Sequence, residues 1–280
     1  MSSSAASMPL DPRFLATAID IVLRAGEIQL ATLARGLTIG LKGEIDLVTD
    51  ADLAAERMCR DVLASRFPSH AILAEELGGS VPAPPASGCC WIFDPIDGTT
   101  NYAHGLPIFC ASLALEIDGR VEVAAIYDPT RKELFTAERG GGAYLNGAPL
   151  RVSRAARLID ALLVTGFPYD IHAHADEVLG LFGAFIHRAR AVRRLGSAAL
   201  DMAYVAAGRF DGFWEDGLKP WDVAAASLLV EEAGGALSGI DGSPFRARAG
   251  HVLAAAPAIH PLMLETIRSF RDERSRNRTP

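Results

Sequence analysis

The four cysteines of this chain include no CxxC pair, and two of them, Cys89 and Cys90, are adjacent. Most lie in apolar stretches, so they read as reduced, packed thiols, the usage expected of a cytoplasmic protein. The segment Met1 to Pro9 is rich in Ser and Ala but has no basic stretch, and the apolar residues after it are broken by Asp20 and Arg24. Neither a signal peptide nor a membrane span is expected. Positive charge is not in excess, since the formal net charge is −7. That argues against sequence-independent binding to nucleic acid, which needs a basic face, but is compatible with attracting cations. No internal repeat is visible.

What is present is a globular balance: 280 residues, half of them hydrophobic and 22% charged. That length suits one large or two fused domains. Phe14, Ala18, Ile21, Val22, Ala25 and Ile28 recur at helical spacing and predict a helix over 11–34. A second is expected over 51–66, with Thr49 as its N-cap and Pro68 closing the segment. The Pro-rich stretch Val81 to Pro85 reads as a surface loop, and Cys89 to Phe93 as a buried strand. Strands at 108–117, 121–127 and 133–137 follow, joined by turns at Asp118-Gly119 and Asp128-Pro129, with another turn at Asn146-Gly147. After about residue 150 the pattern changes. Short strands at 161–165, 190–194 and 211–214 alternate with helices at 174–188, 197–207 and 221–233. A strand at 252–255 and a helix at 257–270 come last, and Arg268 to Pro280 reads as a frayed tail. The expectation is an α+β domain over 1–150 with an antiparallel sheet, then an α/β domain over 151–280.

The densest chemical signal is Asp94-Pro95-Ile96-Asp97-Gly98-Thr99-Thr100-Asn101, which directly follows the buried strand. Acids there are costly unless something compensates them. Gly98 permits a tight turn and Thr99-Thr100 can open a short helix whose free N–H groups suit an anion. Carboxylates beside an anion site suggest hard cations bridging protein and phosphate. Read singly, each acidic piece is bland. Asp94 to Thr99 can be a turn and cap, Glu75-Glu76 a charged loop, Asp222 an N-cap, and Thr49 to Asp52 helix capping. His172 and His174 read as exposed loop residues.

Together these pieces resemble the inositol monophosphatase family. Trp91 to His104 resembles its first signature, and Trp221-Asp222-Val223-Ala224-Ala225-Ala226 through Gly235 its second. Asp46-Leu47-Val48-Thr49 with Asp52, the pair Glu75-Glu76, Gly140 to Gly147 and Arg194 to Ala199 fall in the same order and spacing. The departures are mild: Ala74 and Ala226 stand where glycine is frequent, and the segment Gly36 to Asp46, which carries Lys42, is compact.

The resemblance implies a layered αβαβα sandwich of the fructose-bisphosphatase/inositol monophosphatase type. It implies two or three Mg²⁺ ions. Glu75, Asp94 and the Ile96 carbonyl would hold one, and Asp94, Asp97 and Asp222 a second, with Glu75 also helping a third. Thr99 and Asp52 would orient the attacking water, with Glu75 counted among the catalytic residues. Gly98, Thr99 and Asp97 would face the phosphate, while Gly196, Ser197, Ala198 and Glu215 would line the pocket for the alcohol. The implied activity is hydrolysis of a small phosphorylated polyol, myo-inositol monophosphate foremost, by a lithium-sensitive homodimer. The alternatives are histidinol phosphate, fructose bisphosphate, phosphoadenosine phosphate or NADP as substrate, or a regulatory binding protein on the same fold.

Overall fold

A computed structural model describes residues 10–42, 46–77 and 88–278. The Pro-rich stretch at 81–85 falls outside them. Helix α1 (Arg13–Arg35) leads into a small hairpin, β1 (Ile39–Leu41) and β2 (Leu47–Thr49), and then into α2 (Asp50–Arg66). Thr49 caps α2 as its sequence predicts: its backbone N–H donates to the Asp52 carboxylate at 2.7 Å, closing a capping box.

Strands β3 (Ala71–Ala74), β4 (Cys89–Asp97), β5 (Cys110–Ile117), β6 (Arg120–Asp128), β7 (Glu133–Glu138), β8 (Gly142–Leu145) and β9 (Ala148–Pro149) form one sheet in that order. Only β3 and β4 run parallel; the remaining neighbours are antiparallel. A short helix, α3 (Thr99–Ala103), sits between β4 and β5. The Asp118-Gly119 and Asn146-Gly147 turns adopt positive φ at both residues, the geometry their composition favours.

The second half carries β10 (Leu162–Thr165), α4 (Ile171–Ile186), β11 (Ala191–Arg193), α5 (Ala198–Ala206), β12 (Gly212–Asp216), α6 (Pro220–Glu232), β13 (Ala236–Ser238), β14 (His251–Ala255) and α7 (His260–Arg278). Its sheet has the order β11-β10-β12-β14-β13. The backbone of α4 leaves helical geometry at His174, the start expected from sequence, and His172 and His174 lie within α4, not in the loop expected for them. The expected frayed tail is instead the end of α7. Its Arg and Glu residues are good helix formers, and Arg274 meets Glu177 of α4 at 3.7 Å.

The five layers follow from how each strand divides its residues between two faces. Trp91, Phe93, Leu113 and Leu115 point toward α1 and α2, whereas Cys90, Ile92 and Ala114 point toward α5 and α6. In the second sheet Val164, Phe213, Val252 and Ala254 face the same α5–α6 layer. Leu163, Trp214, Leu253 and Ala255 face α4 and α7. Both sheets are covered on both sides, which is why their strands read as continuous apolar runs. Helix α6 lies between the sheets and is buried nearly all round, from Pro220 to Val230. The first sheet ends at Pro149 and the second begins at Leu162, but the central apolar cluster runs through both. Among the described residues no helix is long and apolar enough to cross a membrane.

Candidate active site

The site lies where β4 runs out. The strand continues past Phe93 to Asp97, with an irregularity in its pairing to β5 between Asp94 and Asp97. Asp94 pairs with Ser112 and Asp97 with Cys110, so three steps on β4 oppose two on β5. In a regular strand residues three apart point to opposite faces. The bulge cancels that alternation, and both carboxylates reach one side. Gln29 of α1 steadies the bulge, its Nε2 donating to the Pro95 carbonyl at 2.7 Å, and Tyr102 donates to the Gln29 carbonyl at 2.7 Å. The chain then turns at Gly98, with φ of +97°, where a Cβ would come within 2.9 Å of the Ile108 carbonyl. No other residue fits there without displacing backbone.

Asp222 comes from the first turn of α6. It sits at the third helical position, not at the N-cap expected from sequence, because Pro220 already occupies the first. Its Oδ2 accepts the Lys219 N–H at 2.7 Å. Carboxylate oxygens of Asp94, Asp97 and Asp222 all lie within 4.8 Å of one another. Asp97 is further fixed by α5: it accepts the Ser197 hydroxyl and, at 2.8 Å, the Ala199 N–H. Asp94 accepts the Ile96 N–H at 2.9 Å.

Glu75 borders the same cavity of about 190 Å³, with Lys42, Asp46, Asp94, Ile96, Asp97, Gly98, Thr99 and Asp222. It is tied differently, since Lys42 Nζ lies 2.7 Å from Glu75 Oε1 and 2.8 Å from Glu76 Oε1. Thr99 Oγ1 donates to the Ile96 carbonyl at 2.9 Å. Asp52 is fully buried. Its Oδ2 accepts the Thr49 hydroxyl at 2.6 Å, while its Oδ1 has no partner among the described residues.

A second cavity of about 260 Å³ adjoins the first and shares Asp97, Gly98, Tyr169 and Asp222 with it. Gly196, Ser197, Ala198 and Glu215 line it, together with Arg194, whose guanidinium lies 5.6 Å over the Phe167 ring. His174 is exposed and meets Asp170 at 3.4 Å, away from both cavities.

Burial dominates the electrostatics. It pushes Asp94 and Asp222 well above the ordinary carboxylate range, and the neighbouring acids push them further. Asp97 is raised less, to about 6, because Ser197 and the α5 amides oppose its desolvation. Burial raises Asp52 and Glu76 to about 7 each and Glu75 as well, with Lys42 opposing at both glutamates. Buried carboxylates converging in this way, with Lys42 paired to Glu75 and Glu76, cannot all ionise without further positive charge. Hard divalent cations that accept carboxylate, carbonyl and water oxygens fit this donor set.

A model of the inositol monophosphatase family matches residues 11–272. This chain belongs to the inositol monophosphatase family. It is 46% identical over 227 residues to Nus factor SuhB of Salmonella typhimurium, covering 81% of this chain and 84% of that one. It is 44% identical over 250 residues to inositol-1-monophosphatase of Synechocystis, covering 88% and 86%. Among solved structures, inositol monophosphatase from Anabaena superposes with a TM-score of 0.82 at 40% identity, over 92% of this chain and 96% of that one. The αβαβα layering is thus that of the family.

Sequence reasoning missed several residues that shape this family member's site. Gln29 interrupts the apolar stripe of α1, a signal that was there to be read. Glu56, fully buried on α2, accepts the N–H groups of Glu76 at 2.7 Å and Leu77 at 3.0 Å. Tyr169 borders both cavities, and nothing in its local pattern distinguishes it from an ordinary apolar loop residue.

Proposed function

We propose that this chain is a Mg²⁺-dependent phosphatase that hydrolyses small phosphate monoesters, with a phosphorylated polyol such as myo-inositol monophosphate as its substrate. The observation that carries this reading is the convergence of Asp94, Asp97 and Asp222 from two separate elements of a family member. Glu75, Asp94 and the Ile96 carbonyl would hold one ion, and Asp94, Asp97 and Asp222 another, with Glu75 also helping a third. When bound, the ions supply charge neutralisation at phosphate and acidify the attacking water.

The chain's own groups do the rest. Thr99 has its hydroxyl hydrogen committed to the Ile96 carbonyl, so its lone pairs are available to accept from water. For its proton to pass toward Asp52, the Thr99 hydroxyl would turn from the Ile96 carbonyl to Asp52 Oδ1, which has no partner among the described residues. Gly98 presents backbone at the wall shared by the two cavities, where phosphate meets alcohol. Gly196, Ser197, Ala198 and Glu215 receive the alcohol, and Glu215 accepts from its hydroxyls. Lithium and Ca²⁺ are expected to inhibit, and the enzyme to act as a homodimer.

The deciding experiment is phosphate release from a panel of monoesters: inositol, histidinol, fructose, adenosine and NADP phosphates, with and without Mg²⁺. Turnover of a polyol phosphate that vanishes on chelation and returns with Mg²⁺ is the expected result. Full activity after exhaustive chelation would sink the metal assignment. A second reading, a binding role on the same fold, draws on the 46% identity to a protein named Nus factor SuhB. An intact carboxylate set with no turnover on any ester would favour it.

A further inference from the structure

Gly166 follows directly on β10 and lies against Glu215 of the neighbouring β12. A Cβ built on Gly166 would stand 2.0 Å from Glu215 Oε2 and 2.2 Å from both Cδ and Oε1. Its φ lies outside the left-handed region, so the backbone itself does not call for glycine. Glycine is there for space. Gly98 is the opposite case, with positive φ and backbone atoms in the way.

The strand under Glu215 cannot give. β12 pairs with β10 on one side and β14 on the other, with Glu215 opposite Val252. The Thr165 hydroxyl, one residue before Gly166, donates to the Trp214 carbonyl at 2.6 Å and locks the two strands together. The colliding atoms are the far end of a flexible side chain, and they have somewhere to go. Glu215 borders the 260 Å³ cavity beside the acidic cluster and also an apolar cavity of about 320 Å³ between α4 and α7. Gly166, Phe167 and Pro168 form the wall common to both.

We infer that Gly166 is a specificity-determining residue: by lacking a side chain it makes the space that lets the Glu215 carboxylate face the alcohol half of the substrate. Alanine there leaves the fold and the acidic cluster in place and drives the carboxylate off the polyol pocket. The inference rests on the reading of Glu215 as the hydroxyl-binding acid of a polyol phosphatase. It goes beyond that reading by assigning the selectivity to the residue that positions the acid.

Two measurements on the Gly166→Ala protein test it. Its crystal structure is expected to show the Glu215 carboxylate displaced from its wild-type position; a carboxylate left in place overturns the inference whatever the substrate is. Kinetically, the ratio of kcat/KM for myo-inositol 1-phosphate to that for p-nitrophenyl phosphate, which has no hydroxyls to recognise, should fall roughly 10–100-fold, the worth of the two hydrogen bonds that the two oxygens of the acid can make with hydroxyls. In a Glu215→Ala background the same substitution should change that ratio no further, because no carboxylate remains to displace. An equal fall in both backgrounds overturns the proposal. A displaced carboxylate with an unchanged ratio in every variant would instead retire the reading of Glu215 as a hydroxyl-binding acid.

Discussion

The Glu56 carboxylate holds the Glu76 peptide N–H at 2.7 Å from inside α2, one residue beyond the candidate ligand Glu75. It also accepts the Leu77 N–H at 3.0 Å and Arg60 Nε at 2.8 Å, so each of its oxygens is used. Lys42 grips the same acidic turn from the cavity side. Glu56→Gln keeps the shape but offers one acceptor oxygen where two are needed. It should cost about 1.5–3 kcal/mol of stability and loosen the turn. Calorimetric titration with Mg²⁺ should then show weaker binding, with the far-UV spectrum unchanged. Wild-type Mg²⁺ affinity in a destabilised protein would reduce Glu56 to a purely structural role.

Asp222→Asn separates capping from metal binding. At the third position of α6, Asn can still accept the Lys219 N–H through its own oxygen. The substitution also removes an acid whose ionisation burial and its acidic neighbours oppose. The metal-free variant should therefore be at least as stable as wild type while losing most Mg²⁺ affinity and turnover. Urea unfolding beside calorimetric titration checks both halves. A variant that unfolds but keeps activity in its folded fraction would leave Asp222 as a helix residue only.

Much of the layering was legible because strand and helix periodicity survive in sequence. Phe14 to Ile28 announce α1, and Asp118-Gly119 announces its hairpin. The acidic cluster was legible as a list of residues, not as an arrangement. Asp94 and Asp97 face one way only because β4 bulges, and a bulge depends on pairing with β5, which local sequence does not specify. Short edge strands such as β9 and β13 carry too few residues for a period of two to register. Glu56 and Gly166 act through partners twenty or more residues away, so no local window could have shown them.

Thr99→Ala tests the orientation of water by the side chain. A single group that positions or transfers a proton is typically worth roughly 10²–10⁴-fold in rate. Thr99 bonds the Ile96 carbonyl and lines the cavity, yet supplies no carboxylate to it. The expected result is a fall in kcat of that size with little change in Mg²⁺ affinity. A change below about tenfold would mean that the water is placed without Thr99.

Glu215 should make stability depend on pH. Burial, followed by repulsion from Asp97 and against the attraction of Arg194, raises it from an ordinary 4.5 to about 8. Between those values the folded state keeps a proton that the unfolded state has released. The contribution of this group to stability thus falls as pH rises through that window. Glu215→Gln has no proton to lose. Measured by urea unfolding in chelator, its advantage over wild type should be small near pH 4.5 and grow to a few kcal/mol near pH 8. An advantage that does not change with pH would show that the acid is not held protonated.

The final expectation concerns pairing. Of the apolar stretch after the acidic motif, Phe109 is inside the monomer, with its ring 4.9 Å from that of Tyr102 in edge contact. Leu106 is 51% exposed and Tyr169 54% exposed, so these two are what this stretch and the apolar loop at 167–169 offer to a partner. The loop is held in shape: Arg131 donates to the Pro107 carbonyl at 2.7 Å, and Asn101 donates to the Ile108 carbonyl at 2.9 Å. Asn101 belongs to α3, which begins with Thr99. A partner seated on Leu106 would therefore brace the helix that carries Thr99. A two-fold pair requires a self-complementary patch, and a permanent one buries on the order of 2,000 Å² or more. Light scattering at micromolar protein should give a dimer mass for wild type. Leu106→Arg should shift it toward monomer and lower turnover together, since a charge at the centre of an apolar contact is left unpaired. A wild-type monomer with full activity would refute both the pairing and its link to the site.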